Sequence, residues 1–268
     1  MQKVLTALLA IVFILVVYMG QSHWSQKIDN ASAKDKINST IKKSAAKKSE
    51  TNVDKEDTKE QKLLAYTKNW PAEAVERFKQ VQSEGKAFKI LFVGSKAIGS
   101  ESDGTFPIVK QKLVETFGEK NIQVTLKTYS STSSQFVNDN KQKEISGERA
   151  DLIIFEPFIL QNNGFVSINK TLSDLAKVIK DVKAVNPETS FILQPAFPLY
   201  KAKIYPGQVA ELKDYAEKNK IAYLDHWTSW PDPNTIEISK YLLPDQSAPS
   251  EKGVQAWSQA LIQYLISQ

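Results

Sequence analysis

Lys89-Ile90-Leu91-Phe92-Val93-Gly94-Ser95-Lys96-Ala97-Ile98-Gly99-Ser100 is the stretch that decides the fold. An apolar run closed by a glycine turn reads as the first strand of an α/β domain, delivering a loop to the carboxyl edge of its sheet, where ligands bind in such folds. Working outward, strands are predicted at 88–94, 121–129, 151–156, 190–195 and 221–225. Helices are predicted near 106–117, 134–146, 168–185, 206–219 and 251–267. A further helix opens at Trp70-Pro71-Ala72-Glu73, with proline in its first turn, and runs toward Gly85 with Ala74, Phe78 and Val81 as its apolar face. Apolar strands such as Asp151-Leu152-Ile153-Ile154-Phe155, separated by amphipathic helices, specify a parallel sheet covered on both faces.

Composition narrows the function. The 268 residues are 41% hydrophobic, enough for one sizeable core with an appendage. The formal charge is +5, yet the only arginines are Arg77 and Arg149. Specific phosphate and base recognition leans on arginine forks, so nucleic acid is not the expected partner. The absence of cysteine excludes thiol nucleophiles, disulfides and cysteine-bound metals. Of two histidines, His23 stands beside an apolar N-terminal run, so His226 is the one imidazole of the folded domain. No metal and no cofactor is expected.

Val4 to Met19 is an uncharged apolar run after Lys3, with Trp24 a little beyond it. Residues 1–24 read as an uncleaved membrane anchor or a cleaved signal peptide. Residues 25–64, lysine-rich and without glycine or proline, read as a disordered stalk that buries too little apolar area to offset its ordering entropy. Residues 65–268 form the domain. Its expected location is the outer face of the cell membrane, single-pass, or outside the cell if the signal is cleaved.

The opening block resembles that of the SGNH/GDSL hydrolases, whose first strand runs into Gly-Asp-Ser with the serine as nucleophile. Gly94 holds the glycine position, Ser95 replaces the aspartate, and Lys96 stands in the serine position. Leu243-Pro244-Asp245-Gln246-Ser247-Ala248-Pro249-Ser250-Glu251-Lys252-Gly253 is similar to the family's closing Asp-x-x-His-Pro-Asn-x-x-Gly block. Asp245, Pro249 and Gly253 match it, and Ala248 stands in the histidine position. The family's second block brings a glycine, whereas Thr128 to Gln135 has none. Its third reads Gly-x-Asn-Asp, whereas Glu156-Pro157-Phe158 follows here and Asn162-Asn163-Gly164 arrive later. The resemblance, over roughly residues 86–268, implies a three-layer, flavodoxin-like domain acting on acyl esters of envelope glycans or polymers, with degenerate or rearranged catalytic residues. The other reading is a non-catalytic glycan- or polymer-binding or scaffold protein on the same fold.

The candidate site follows from the loops at the strands' carboxyl ends. Ester hydrolysis through serine needs a base and a carboxylate to orient it. Ser95 with His226, and Asp245 as the family carboxylate, is the conceivable replacement set. His226 can equally be a loop histidine satisfied by backbone or by Asp232. Lys96 has two readings: an ammonium that binds a carboxylate or phosphate, or a partner for Asp245. Glu156, Asn162, Asn163, Tyr200, Trp227 and Ser247 complete the candidate binding residues. The rings of Phe197, Tyr200, Tyr205, Trp227 and Trp230, set among prolines, either stack on sugar faces or pack as loop cores.

Overall fold

A computed structural model describes residues 60–267. The expected anchor at 1–24 and most of the stalk lie outside the described residues. Five parallel strands, β1 (Phe88–Ser95), β2 (Ile122–Tyr129), β3 (Leu152–Phe155), β4 (Ser190–Leu193) and β5 (Ala222–Tyr223), form one sheet in the order β2-β1-β3-β4-β5. That order places a switch point between β1 and β3, the position at which sheets of this kind bind ligands. The register sets Val93 beside Phe155, so the loops after Ser95 and after Phe155 start side by side.

Among the described residues, the helices that cover the sheet are α1 (Ala72–Ser83), α2 (Thr105–Phe117), α3 (Ser133–Asn138), α4 (Gln142–Glu148), α5 (Ile159–Asn162), α6 (Ile168–Val185), α7 (Tyr205–Lys218) and α8 (Glu251–Leu265). Alternation along β1 splits the core in two. Phe88, Ile90 and Phe92 face α1, α2 and α8, packing with Phe78, Phe106, Phe117, Trp257 and Leu261. Leu91 and Val93 face the other way, with Phe136, Ile145, Leu175, Val178 and Leu212 of α3, α4, α6 and α7. The result is the expected three layers. Among the described residues no helix is long and apolar enough to cross a membrane.

Three boundaries differ from the sequence reading. The helix expected at 134–146 is two helices, because Asn140 adopts a left-handed φ of 56° between them. β5 is only two residues long, as the chain turns after Tyr223 to bury Leu224 and His226. The first described residues, 60–65, are helical, and Leu63, expected in the stalk, is buried in the core. Next to it Trp70 stacks on Phe88 at 5.3 Å and donates its indole N–H to Leu265 O at 2.9 Å, tying the entry segment to α8.

Candidate functional site

At the end of β1 the chain has no room for a side chain at Gly94: a Cβ there would lie 2.9 Å from Glu156 Cβ and 3.1 Å from its Oε2. The glycine thus lets the β3 end close over β1. Glu156, buried, accepts the Ser95 N–H through Oε2 at 2.8 Å. Its Oε1 has no hydrogen-bond partner. Burial pushes the carboxyl above its ordinary range, opposed by Ser95 and by the amides of Phe158 and Ile159, neither of which meets Oε1 with normal hydrogen-bond geometry. The turn carrying it is strained, since Phe158, a bulky residue, holds a φ of 61°.

Ser95 is itself buried, and its hydroxyl accepts the Ala97 N–H at 3.3 Å to start the short 3-10 turn at Lys96–Ile98. Lys96 projects to solvent and makes no ion pair with any described residue. Neither the ammonium–Asp245 pair nor the Ser95–His226 pair of the sequence reading forms.

His226 explains why. It is buried, its Nε2 donates to Pro195 O at 2.9 Å, and its Nδ1 accepts the Trp230 indole N–H at 3.1 Å. The ring stacks on Trp257 with centroids 4.6 Å apart and planes 12° from parallel. Both nitrogens are used and the tautomer is set by the partners. Burial pulls the imidazole down to about 4, against the pull of the Pro195 carbonyl and Asp225. Such a group is neutral at physiological pH and has no face open to a substrate. It is the backbone-satisfied loop histidine, with Trp230 in the place expected for Asp232.

Asn162 is also removed from the site. Buried at the end of α5, its side-chain oxygen accepts the Ser133 N–H at 2.8 Å and its amide donates to Ser133 Oγ and Thr171 Oγ1. Ser133 and Ser134 donate in turn to Asp174, which Lys170 also engages. The network joins α3, α5 and α6 and leaves Asn162 nothing for a ligand. Trp227 is likewise a loop-core residue: its indole donates to Ala196 O at 2.7 Å and its ring meets Tyr205 edge-on. Trp227 is half-buried, and Phe197, Tyr205 and Trp230 are buried, so four of the five rings pack down.

What stays open is a cleft of about 450 Å³, bounded by the β4–α7 loop and the closing loop before α8. Asn163, Tyr200, Lys203, Ile204, Asp245 and Gln246 line it, with Tyr205 among the remaining wall residues. Tyr200 donates its backbone N–H to Gln246 Oε1 at 2.8 Å, fastening the two loops together. Lys201 Nζ lies 5.0 Å from the Tyr200 ring centroid. Asp245 is fully exposed, and the Ser247 hydroxyl at 2.7 Å and amide at 3.0 Å hold its carboxyl below the ordinary range. Ser247 is thus committed to shaping the turn. The cleft unites Asn163, Tyr200 and Asp245 of the expected residues. Lys203, Ile204 and Gln246 were missed, although all three stand in the proline-bracketed loop or the closing block that the sequence marks.

The closing loop is seated by Gly253, where a Cβ would lie 2.2 Å from Tyr241 O and 2.9 Å from both Pro249 Cβ and Trp230 Cη2. A larger cleft, about 1070 Å³, opens at the opposite edge between α1, α6 and α7, against the first residues of β4 and β5. Among the described residues, none of the buried polar side chains that lack a partner belongs to its lining.

No protein-family model and no curated protein matches the chain. Solved structures do. A Parabacteroides merdae protein assigned as a GDSL-like lipase superposes with a TM-score of 0.57 at 12% identity, covering 67% of this chain and 96% of that one. A Desulfitobacterium hafniense protein assigned to the G-D-S-L lipolytic family gives 0.53 at 15% identity, with 66% and 98% covered. Axe2, an acetylxylan esterase from Geobacillus stearothermophilus, gives 0.52 at 15% identity, with 68% and 95% covered. Together with the strand order, these similarities establish that the chain has an SGNH/GDSL hydrolase-like fold.

Proposed function

We propose that this chain is a non-catalytic binding protein on a hydrolase-like frame, held at the outer face of the membrane by its first residues, that takes an acylated glycan or polymer of the envelope in the cleft of Tyr200 and Asp245. The observation that carries the non-catalytic reading is the state of His226. Its two nitrogens are bonded to Pro195 and Trp230 and its face is covered by Trp257. Without an available imidazole, Ser95 has no base, and Lys96 and Ala248 occupy the positions where the resemblance expects serine and histidine.

The glycan reading draws on three things: the ring of Tyr200, the hydrogen-bonding set of Asn163, Lys203, Asp245 and Gln246, and the likeness in fold to an acetylxylan esterase. An aromatic face with several convergent polar groups is the usual make-up of a small polar-ligand site. The membrane reading draws on the apolar run Val4 to Met19. The test is equilibrium titration of the full chain with acetylated xylan oligosaccharides. Binding that is lost in Tyr200→Ala supports the cleft. Binding that survives Tyr200→Ala and Asp245→Ala places the ligand elsewhere, and ester turnover in the same mixture contradicts the non-catalytic reading.

A further inference from the structure

The polar groups behind the cleft contain a mismatch. Glu156 is 1% exposed, yet no cation among the described residues pairs with it and one of its oxygens has no hydrogen-bond partner. A buried carboxyl without a countercharge and with one oxygen unsatisfied is costly, and its presence calls for a role. The surroundings are built to receive it. Gly94 withholds the Cβ that would strike it, the Ser95 amide is aimed at Oε2, and Phe158 is held at a φ of 61° in the turn that returns the chain past the carboxyl. Beside it lies Tyr205, which lines the cleft, feels the Glu156 charge, and has a buried hydroxyl that also lacks a partner of normal geometry.

We propose that the Glu156 side chain is an internal ligand: its carboxyl group fills, from within, a carboxyl- or acyl-receiving position beside the Ser95 amide at the end of β1. The position adjoins Lys96, which stands where the resemblance expects the nucleophile, so the self-supplied carboxyl closes the place where an external acyl oxygen would be received. Ligands of the cleft are then held short of the strand ends. The inference deepens the non-catalytic reading and rests on it. It also makes a separate claim, that the chain encodes a latent site for small monocarboxylates, which appears only when Glu156 is shortened.

The experiment is chemical rescue of the full chain, read by thermal unfolding rather than by turnover. Glu156→Ala should melt roughly 3–10 °C below the unsubstituted chain, as expected for loss of a buried polar partner in a domain of this size. Formate or acetate should restore it saturably, while chloride at equal ionic strength should not. The unsubstituted chain and Glu156→Gln, in which the position is filled, should ignore formate. If Glu156→Ala does not fold in plain buffer, refolding it in formate should recover soluble protein. Failure of formate in both assays, or an equal response in the unsubstituted chain, overturns the proposal. Because no substrate is involved, that failure leaves the reading of His226 standing, and esterase turnover would sink that reading without deciding this one.

Discussion

Two carboxylates mark the same edge of the sheet and have opposite fates. Glu156, at the β1–β3 junction, is buried, pushed up by desolvation and covered by its own loop. Asp245, in the closing loop, is fully exposed and held down by Ser247. The difference separates a closed half of the edge, where Ser95, Glu156 and His226 are absorbed into the core, from an open half, where Tyr200, Lys203, Asp245 and Gln246 face a cleft. The same hydrolase-like fold thus carries buried polar groups on one half of this edge and exposed ones on the other. In this chain Ser95, Glu156 and His226 are buried at that edge, while Lys96 and Asp245 are exposed.

That contrast predicts where substitutions hurt. The largest effect belongs to the closed half. His226→Ala removes a ring stacked on Trp257 and orphans the Trp230 indole N–H, and should cost about 2–4 kcal/mol in chemical denaturation. A cost below about 1 kcal/mol would show that the histidine is not part of the core.

The second effect is in pH. His226 has a folded value of about 4 against an unfolded value near 6.5, so between them the unfolded chain binds the proton and the folded chain does not. Its stabilisation is complete above about pH 6.5 and is lost as pH falls toward 4, amounting to roughly 3 kcal/mol. His226→Gln, which keeps a polar side chain without that titration, should flatten this part of the stability–pH curve. An unchanged slope would mean that other groups produce it.

Gly94→Ala ranks third. The new Cβ meets Glu156 Cβ at 2.9 Å, too close for either strand to yield cheaply, and should destabilise by about 1–3 kcal/mol. Pairing it with Glu156→Ala should recover little of that loss, because alanine keeps the Cβ at 2.9 Å and removes only the Oε2 contact at 3.1 Å, whereas Glu156→Gly removes both. The smallest effect belongs to the exposed charges. Asp245→Asn and Lys96→Ala alter exposed groups that make no ion pair with any described residue and should leave the melting temperature unchanged, while Asp245→Asn weakens any ligand of the cleft.

The same division governs what the sequence discloses. The run Ile90 to Val93 and the strand Leu152 to Phe155 are legible because a parallel strand buried on both faces must be continuously apolar. The break at Asn140 is legible in principle, since Asn138-Asp139-Asn140 is a turn composition, but the apolar periodicity of Phe136, Val137 and Ile145 bridges it. Asn162 and Asn163 show the limit. They are neighbours of one type, yet one is locked to Ser133 and Thr171 and the other faces the cleft, and only the three-dimensional course of α5 separates them. Glu156 is the hardest to foresee, because a carboxylate after a strand reads as solvent-facing. Its burial depends on Gly94, distant in sequence and adjacent only through the parallel register.

Whether any serine of this edge is activated can be read by covalent labelling with a fluorophosphonate that reports on nucleophilic serines. The full chain should show no labelling at neutral pH above that of Ser95→Ala, under conditions that label an active serine esterase to completion. Stoichiometric labelling of a serine in the folded chain, abolished by unfolding and by His226→Ala, would contradict it.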